Sequence, residues 1–347
     1  MTAAVERSGP TPAAPAVDGL SQRSLGIIAV VVAAVGLSAG STMVKRADTP
    51  GAVIAFWRLS IGAALWLSLA AARHRLPSKA AWRTVAPAGL LFGVNLALFF
   101  SAVTLTRVAN VEFIGTLTPV FVVPAAALLL REHVEPRVLA LAALALVGVS
   151  LVVLASGRGG GHRWSGDLLT VGAVITWSTY LLFTKRVRGH IDTTAFMSVM
   201  TTVAAITVLP VALTAHSLLD AKVVNRHLSI SVRGLFHIPT HGWILIVVMA
   251  VTSGMVSHGL LAWAQQRVAV STISMMQVSQ PGLATLWAFV VLGETVRALQ
   301  IVGMIVVVVA VALIAWQATL VSATPTHHDA TLDDGAPEDA ASRTRAV

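Results

Sequence analysis

The chain has 347 residues, of which 56% are hydrophobic and 11% charged. An ordinary soluble domain carries roughly 25% charged residues, so most of this chain must face lipid or other apolar helices. There is no cysteine, which excludes disulfide scaffolds, thiol catalysis and cysteine-ligated zinc or iron–sulfur centres, and the formal net charge of +9 is spread through short segments between apolar runs, a pattern of membrane topology rather than of a nucleic-acid-binding face.

Residues 1–24 are Pro/Ala-rich with scattered charge and carry no convincing signal-peptide cleavage pattern, so they read as a disordered cytoplasmic tail. A bilayer core about 30 Å thick needs roughly 20 mostly apolar residues per spanning helix. Ten such stretches follow, at about 25–44, 52–72, 85–105, 109–130, 137–155, 167–184, 194–215, 242–264, 270–292 and 297–317. The expected fold is therefore an all-α polytopic membrane protein with ten transmembrane helices. Two segments break the rhythm, the polar loop 216–241 and a tail over 322–347 that reads as disordered and cytoplasmic.

Orientation rests on Lys and Arg in the short loops. With the N-terminus inside, the inner loops hold Arg73, Arg75, Lys79, Arg83, Arg131, Arg137, Lys185, Arg186, Arg188 and Arg267, ten in all, against six outside: Lys45, Arg46, Arg107, Arg158, Arg163 and Arg297. Both termini are expected in the cytoplasm.

The halves resemble each other. An offset of 140 pairs Gly26 with Gly166, Ser38 with Ser178, Lys45-Arg46 with Lys185-Arg186 and Ala55-Phe56 with Ala195-Phe196. An offset of 162 pairs Ala102 with Ala264, Pro119 with Pro281, Glu132 with Glu294 and Val134 with Val296, and the difference of 22 residues fits an insertion in loop 216–241. Five spans per copy is odd, so the copies over 25–155 and 166–317 would enter the membrane from opposite sides, as two inverted five-helix repeats.

These residues resemble the EamA-domain branch of the drug/metabolite transporter superfamily. The resemblance is carried by Phe56-Trp57-Arg58 and by two copies of one motif: AVTLTRVANVEFIGTLTPVFVVPAAALLLRE from Ala102 to Glu132, and AQQRVAVSTISMMQVSQPGLATLWAFVVLGE from Ala264 to Glu294. It implies secondary transport, usually export, of amino acids, nucleosides, other metabolites or drugs, and no substrate in particular. The chain departs from the common pattern at Arg131, where Gly often precedes the Glu, at Glu112, and in loop 216–241.

Ionisable groups inside a membrane are costly and functional by default. Three lie clearly within spans: Arg58, Glu112 and His258. Arg58 and Glu112 fall at similar depth, so they either form a static pair or serve substrate contact and coupling, with a proton as the candidate ion. Glu112 shares a helical face with Thr116 and Pro119. His258, beside Ser257, is either a hydrogen-bonded packing residue or a relay. Pro119 and Pro281 at matching repeat positions each remove a backbone bond and suit a cavity or gate. Asn95, Phe99, Trp177, Tyr180 and Gln277 are candidates to line the route, whereas Trp263 suits an interfacial anchor. Glu132 and Glu294 at helix C-termini oppose the helix dipole and need partners, most simply the start of the next span.

No metal-ligand cluster, P-loop or G-x-S-x-G is present in the spans, so no cofactor is expected and ATP-driven transport by this chain alone is disfavoured. The expected partners are a small-molecule substrate and the lipid bilayer of the cytoplasmic membrane, and not nucleic acid. Two other classes remain open: an intramembrane lipid-modifying enzyme with Glu112 or His258 as base, and a structural or regulatory membrane subunit with a dry centre.

Overall fold

The computed structural model describes residues 17–118, 120–121, 136–155, 164–187, 191–219, 231–264 and 280–323, and these are helical apart from short turns. In chain order the helices are α1 (Val17–Arg46), α2 (Gly51–Ala72), α3 (Lys79–Leu105), α4 (Val108–Gly115), α5 (Pro136–Ala155), α6 (Trp164–Val187), α7 (Thr193–Leu219) and α8 (Val232–Phe236). There follow α9 (Thr240–Met249), a π-helical segment (Ala250–Ser257), α10 (His258–Ala264), α11 (Gln280–Leu292) and α12 (Ala298–Ala323).

Six stretches among the described residues are long and apolar enough to cross a bilayer: Leu25–Arg46, Gly51–Ala72, Lys79–Leu105, Trp164–Thr184, Thr193–Ala215 and Thr240–Leu261. Shorter apolar helices run over Leu139–Ala155, Gln280–Leu292 and Ala298–Leu313. Large aliphatic and aromatic side chains such as Leu90, Ile206, Leu286, Phe289 and Ile305 are exposed on the outside of the bundle. That would be a liability in water, and it is the expected surface of a protein dissolved in lipid. The chain is a multi-pass membrane protein.

The helix ends follow local chemistry. Ser78 caps α3, its hydroxyl accepting from the Ala81 N–H at 3.1 Å, and Pro136 opens α5, where a missing N–H costs nothing. The N-terminal helix begins at Val17, eight residues before the first expected span, so the tail reading of 1–24 fails for Val17 to Ser24. Loop 216–241 is also shorter than expected. Helix α7 continues to Leu219, and α8, capped by the Ser231 hydroxyl on the Gly234 N–H, occupies part of the remainder. The eighth span is interrupted by the π-helical turns over AVTSGMVS, where the hydropathy of the span gives no sign of a change in helix type.

Small residues let the helices approach. Helix α2 packs on α7, α5 on α12 and α4 on α11; α3 packs on α6 and α7, while the π segment packs on α1 and α2. The α5–α12 crossing is tight and reciprocal. A Cβ on Gly148 would meet the Gly303 carbonyl at 3.0 Å, and a Cβ on Gly303 would meet the Gly148 carbonyl at 2.7 Å. Gly303→Val is therefore expected to destabilise the α5–α12 crossing by about 1–3 kcal/mol, the usual cost of overpacking. Thermal unfolding of the purified protein in detergent measures it, and an unchanged melting temperature would contradict the crossing.

Candidate functional site

A cavity of about 300 Å³ lies among α1, α2, α3, α4, α6, the π segment, α10, α11 and α12. Arg58, Asn95, Phe99, Glu112, Thr116, Trp177, His258 and Pro281 all line it. Tyr180 does not; it stands behind Trp177, rings stacked at 5.0 Å, with its hydroxyl on the Met200 sulfur at 3.2 Å. Gln277 and Pro119 lie outside the described residues, as does Glu132.

The two charged side chains of the cavity are buried, Arg58 at 4% and Glu112 at 6% exposure. They do not form a salt bridge. Glu112 accepts a hydrogen bond from the Ser41 hydroxyl on α1. Arg58 donates to Ser253 Oγ at 3.2 Å and lies over the Phe100 ring at 5.5 Å, a cation–π contact, while its Nε is buried without a hydrogen-bond partner. Two opposite charges thus face one chamber, each held by neutral groups of its own. Of the two alternatives for these groups, a static pair or separate contacts, the direct ion pair is absent here, and Ser41 and Ser253 are the polar side chains that the two groups meet.

The π segment builds the Arg58 side. Its extra residue per turn loosens the backbone ladder, and the Ser253 carbonyl takes a hydrogen bond from His258 Nδ1. A carbonyl only accepts, so Nδ1 carries the hydrogen and Nε2 is the nitrogen left for the cavity. The His258 ring packs edge-on against Phe92 at 5.7 Å, and Phe92 also meets Trp177 and Tyr180, so one wall is aromatic. Asn95 is committed elsewhere, its amide donating to the Ala173 carbonyl at 2.8 Å and tying α3 to α6. Trp263 packs with Leu261 and Ala264 against Ala29, Val30 and Ala33 and does not itself line the cavity, although Leu261 does.

Ser41, Phe92, Phe100 and Ser253 were not singled out in the sequence. Ser41 had a signal, a polar residue one turn past Ser38 on α1; Phe92 and Phe100 had none that separates them from other apolar residues of α3. Asp167, at the edge of its span, is a further buried acid, accepting from Thr106 Oγ1 at 2.9 Å and Asn110 Nδ2 at 3.3 Å.

At one end of the bundle, Glu294 meets Lys45 Nζ at 2.6 Å and accepts from the Val108 N–H at 3.2 Å. Its partner is a helix N-terminus, as a C-terminal acid requires, but that of α4 and not of the next span.

The EamA-like transporter family model matches residues 24–154 and again 164–316. The chain belongs to this family. A protein of Salmonella typhimurium strain LT2 described as a probable amino-acid metabolite efflux pump is 26% identical over 187 residues, covering 54% of this chain and 60% of that relative. The match thus spans less than two thirds of the relative's length. A solved crystal structure, titled only as that of a protein, superposes with a TM-score of 0.52 at 19% identity, covering 86% of this chain and 98% of the other, and so shares its fold. What the family match shows is membership among EamA-like transporters, across both halves of the described helices.

Proposed function

We propose that this EamA-like protein is a secondary transporter that exports a small zwitterionic, amino-acid-like metabolite across the cytoplasmic membrane by alternating access, with Arg58 and Glu112 as its substrate contacts. The observation that carries this reading is the pair of buried, opposite charges that line one cavity without pairing, with Arg58 Nε lacking a partner. Burying ionised groups is expensive unless they are paired and hydrogen-bonded. A carboxylate at Arg58 and an ammonium at Glu112 would supply both missing partners at once, while Phe92 and Trp177 take an apolar side chain. The Salmonella relative, described as a probable amino-acid metabolite efflux pump, agrees with that class.

The architecture we propose is ten helices in two inverted five-helix repeats, the first over 25–155 and the second over 166–317, with both termini cytoplasmic. Its support is the double family match and the packing of the helices. Exchanging α1 with α6, α2 with α7, α3 with the π segment and α10, α4 with α11, and α5 with α12 returns the main packed pairs, α1–α11 becoming α6–α4, α3–α6 becoming the π segment on α1, and α2–α3 becoming α7–α10, while α1–α3 and α4–α5 have no such counterpart among the described residues. The binding site then falls at the repeat interface, where such folds place it. A cavity that holds Arg58, Glu112 and His258 within a mostly apolar wall favours this reading over a dry structural subunit.

Purified protein in liposomes loaded with radiolabelled phenylalanine or leucine tests the reading through exchange with external candidates. Free amino acids should exchange, whereas their methyl esters and N-acetyl derivatives should not. Exchange of nucleosides or of simple organic cations at the same rate would overturn it. Trp177→Ala is expected to cost phenylalanine exchange about tenfold, since an aromatic contact beyond area burial contributes about 0.5–1.5 kcal/mol, and to leave alanine exchange nearly unchanged. Equal loss for both amino acids would remove Trp177 from the substrate wall.

A further inference from the structure

We infer that Lys45 and Glu294 form the latch of a gate that seals the cavity toward the face of the membrane where α1 ends, the outer face in the orientation proposed above. The inference rests on the alternating-access reading but not on which substrate is carried.

Helices α1 and α4 are joined at two levels. On α1, Ser41 and Lys45 are four residues apart and so lie one above the other on a single face; on α4, Val108 and Glu112 do the same. The lower tie is the Ser41 hydroxyl on the Glu112 carboxylate, at the cavity itself. The upper tie, one turn further toward the membrane face, runs from Lys45 Nζ to Glu294 Oε1 at 2.6 Å, with Glu294 Oε2 accepting from the Val108 N–H at 3.2 Å.

Glu294 is not a residue of either helix. It comes from the corner between α11 and α12, where Gly293 at φ +65° allows the left-handed turn that follows α11. Lys45 Nζ also donates to the Thr106 carbonyl at 2.6 Å, and the Thr106 hydroxyl donates to Asp167 on α6. One ion pair therefore gathers α1, the α3–α4 corner, α6 and the α11–α12 corner over the cavity. These come from both halves of the chain, and opening toward this face requires them to part.

The environment suits a contact that breaks and reforms. The two side chains retain 22% and 17% exposure, enough for water to replace each partner as the pair separates. A fully buried pair would leave two bare charges on opening. The lower tie also gives the gate a way to sense the cavity, since a cationic group arriving at Glu112 competes with the Ser41 hydroxyl one turn below Lys45.

The lack of cysteine permits a direct test. Leu37, which lines the cavity one turn below Ser41, is replaced as Leu37→Cys, and its reaction with a membrane-impermeant thiol reagent is timed in right-side-out vesicles. With the latch intact the thiol should react slowly. Adding Glu294→Gln or Lys45→Met should speed the reaction about tenfold, within the usual range of coupling between two states, and Lys45→Arg should keep it slow. An unchanged rate in folded Glu294→Gln and Lys45→Met protein would overturn the gate. So would an equal rise in inside-out vesicles, which would mean general loosening, or loss of folded protein in both variants, which would make the pair a structural tie. Failure of amino-acid exchange leaves the labelling rates readable, so the substrate and the latch fail separately.

Discussion

Arg58→Gln and Glu112→Gln are each expected to fold and to lower amino-acid exchange by roughly two to three orders of magnitude, and the double variant is expected to do no better than either one. Truncating one member of a buried, hydrogen-bonded charge contact costs about 2–5 kcal/mol, and each 1.4 kcal/mol is about tenfold. Here the contacts in question are those to the substrate. Were Arg58 and Glu112 a salt bridge, removing one would strand the other, and removing both would recover folded protein and activity together. The structure gives the opposite expectation, because Arg58 keeps Ser253 and Phe100 whatever happens to Glu112, and Glu112 keeps Ser41. Expression level, monodispersity in detergent and exchange rate of the three variants decide the matter. Recovery in the double variant would restore the direct pair and withdraw the zwitterion site.

Gly51→Val is expected to abolish accumulation of folded protein, while Gly62→Ala on the same helix is tolerated. A Cβ on Gly51 would lie 2.2 Å from both the carbonyl carbon and oxygen of Phe100, and backbone atoms inside a helix cannot step aside as a side chain can. The cost exceeds the usual ~3 kcal/mol upper range for overpacking. Nothing lies within 4 Å of a Cβ on Gly62, and alanine there gains helix propensity of about 1 kcal/mol. The close approach at Gly51 has a functional reason as well, since it brings α2 onto α3 where Arg58, two turns further on, lies over the Phe100 ring. Thermal stability in detergent separates the two substitutions; equal stability would show that α2 and α3 are not in this register.

The ionisable part of the site was legible because the bilayer makes such residues rare. In a chain with 11% charged residues, three mid-span groups stand out, and Arg58, Glu112 and His258 all reach one cavity. Thr116, four residues beyond Glu112, lines the same cavity. Hydropathy located the six described stretches that are long enough to cross a bilayer, but it could not show where α1 begins or how far α7 runs, because polar residues can extend a helix into water as readily as end it.

What each charge touches was not legible. Serine competes for attention with dozens of other small residues, so Ser253 is unmarked, and the place of Ser41 one turn past Ser38 signals a polar face of α1 without naming Glu112 as what it meets. Aromatic residues fare no better. Phe92 and Trp177 meet across α3 and α6, a contact set by helix rotation, and an almost uniformly apolar helix leaves its own rotation unmarked. Asp167 was passed over for a different reason. It sits at a span boundary, where an acid usually meets water, and only the α3–α4 corner folding over it makes it a buried acceptor.

The π-helical stretch between Ala250 and Ser257 has a consequence for how this site can change over time. A wide turn accommodates more residues than an α-helical turn of the same height, so within it the length of the chain matters as much as its composition. Removing one residue between Gly254 and Ser257, with the wide turns otherwise kept, would turn the polypeptide beyond it by about 100° relative to what precedes it. His258 would then leave the Ser253 carbonyl and the Phe92 ring together, while Ser253 kept its place opposite Arg58. Every side chain named in the site would still be encoded, and the wall they form would be gone. For this transporter a single-codon deletion in the eighth span is a larger edit than most substitutions in the cavity, and drift among its descendants should be recorded there as sequence change at constant length.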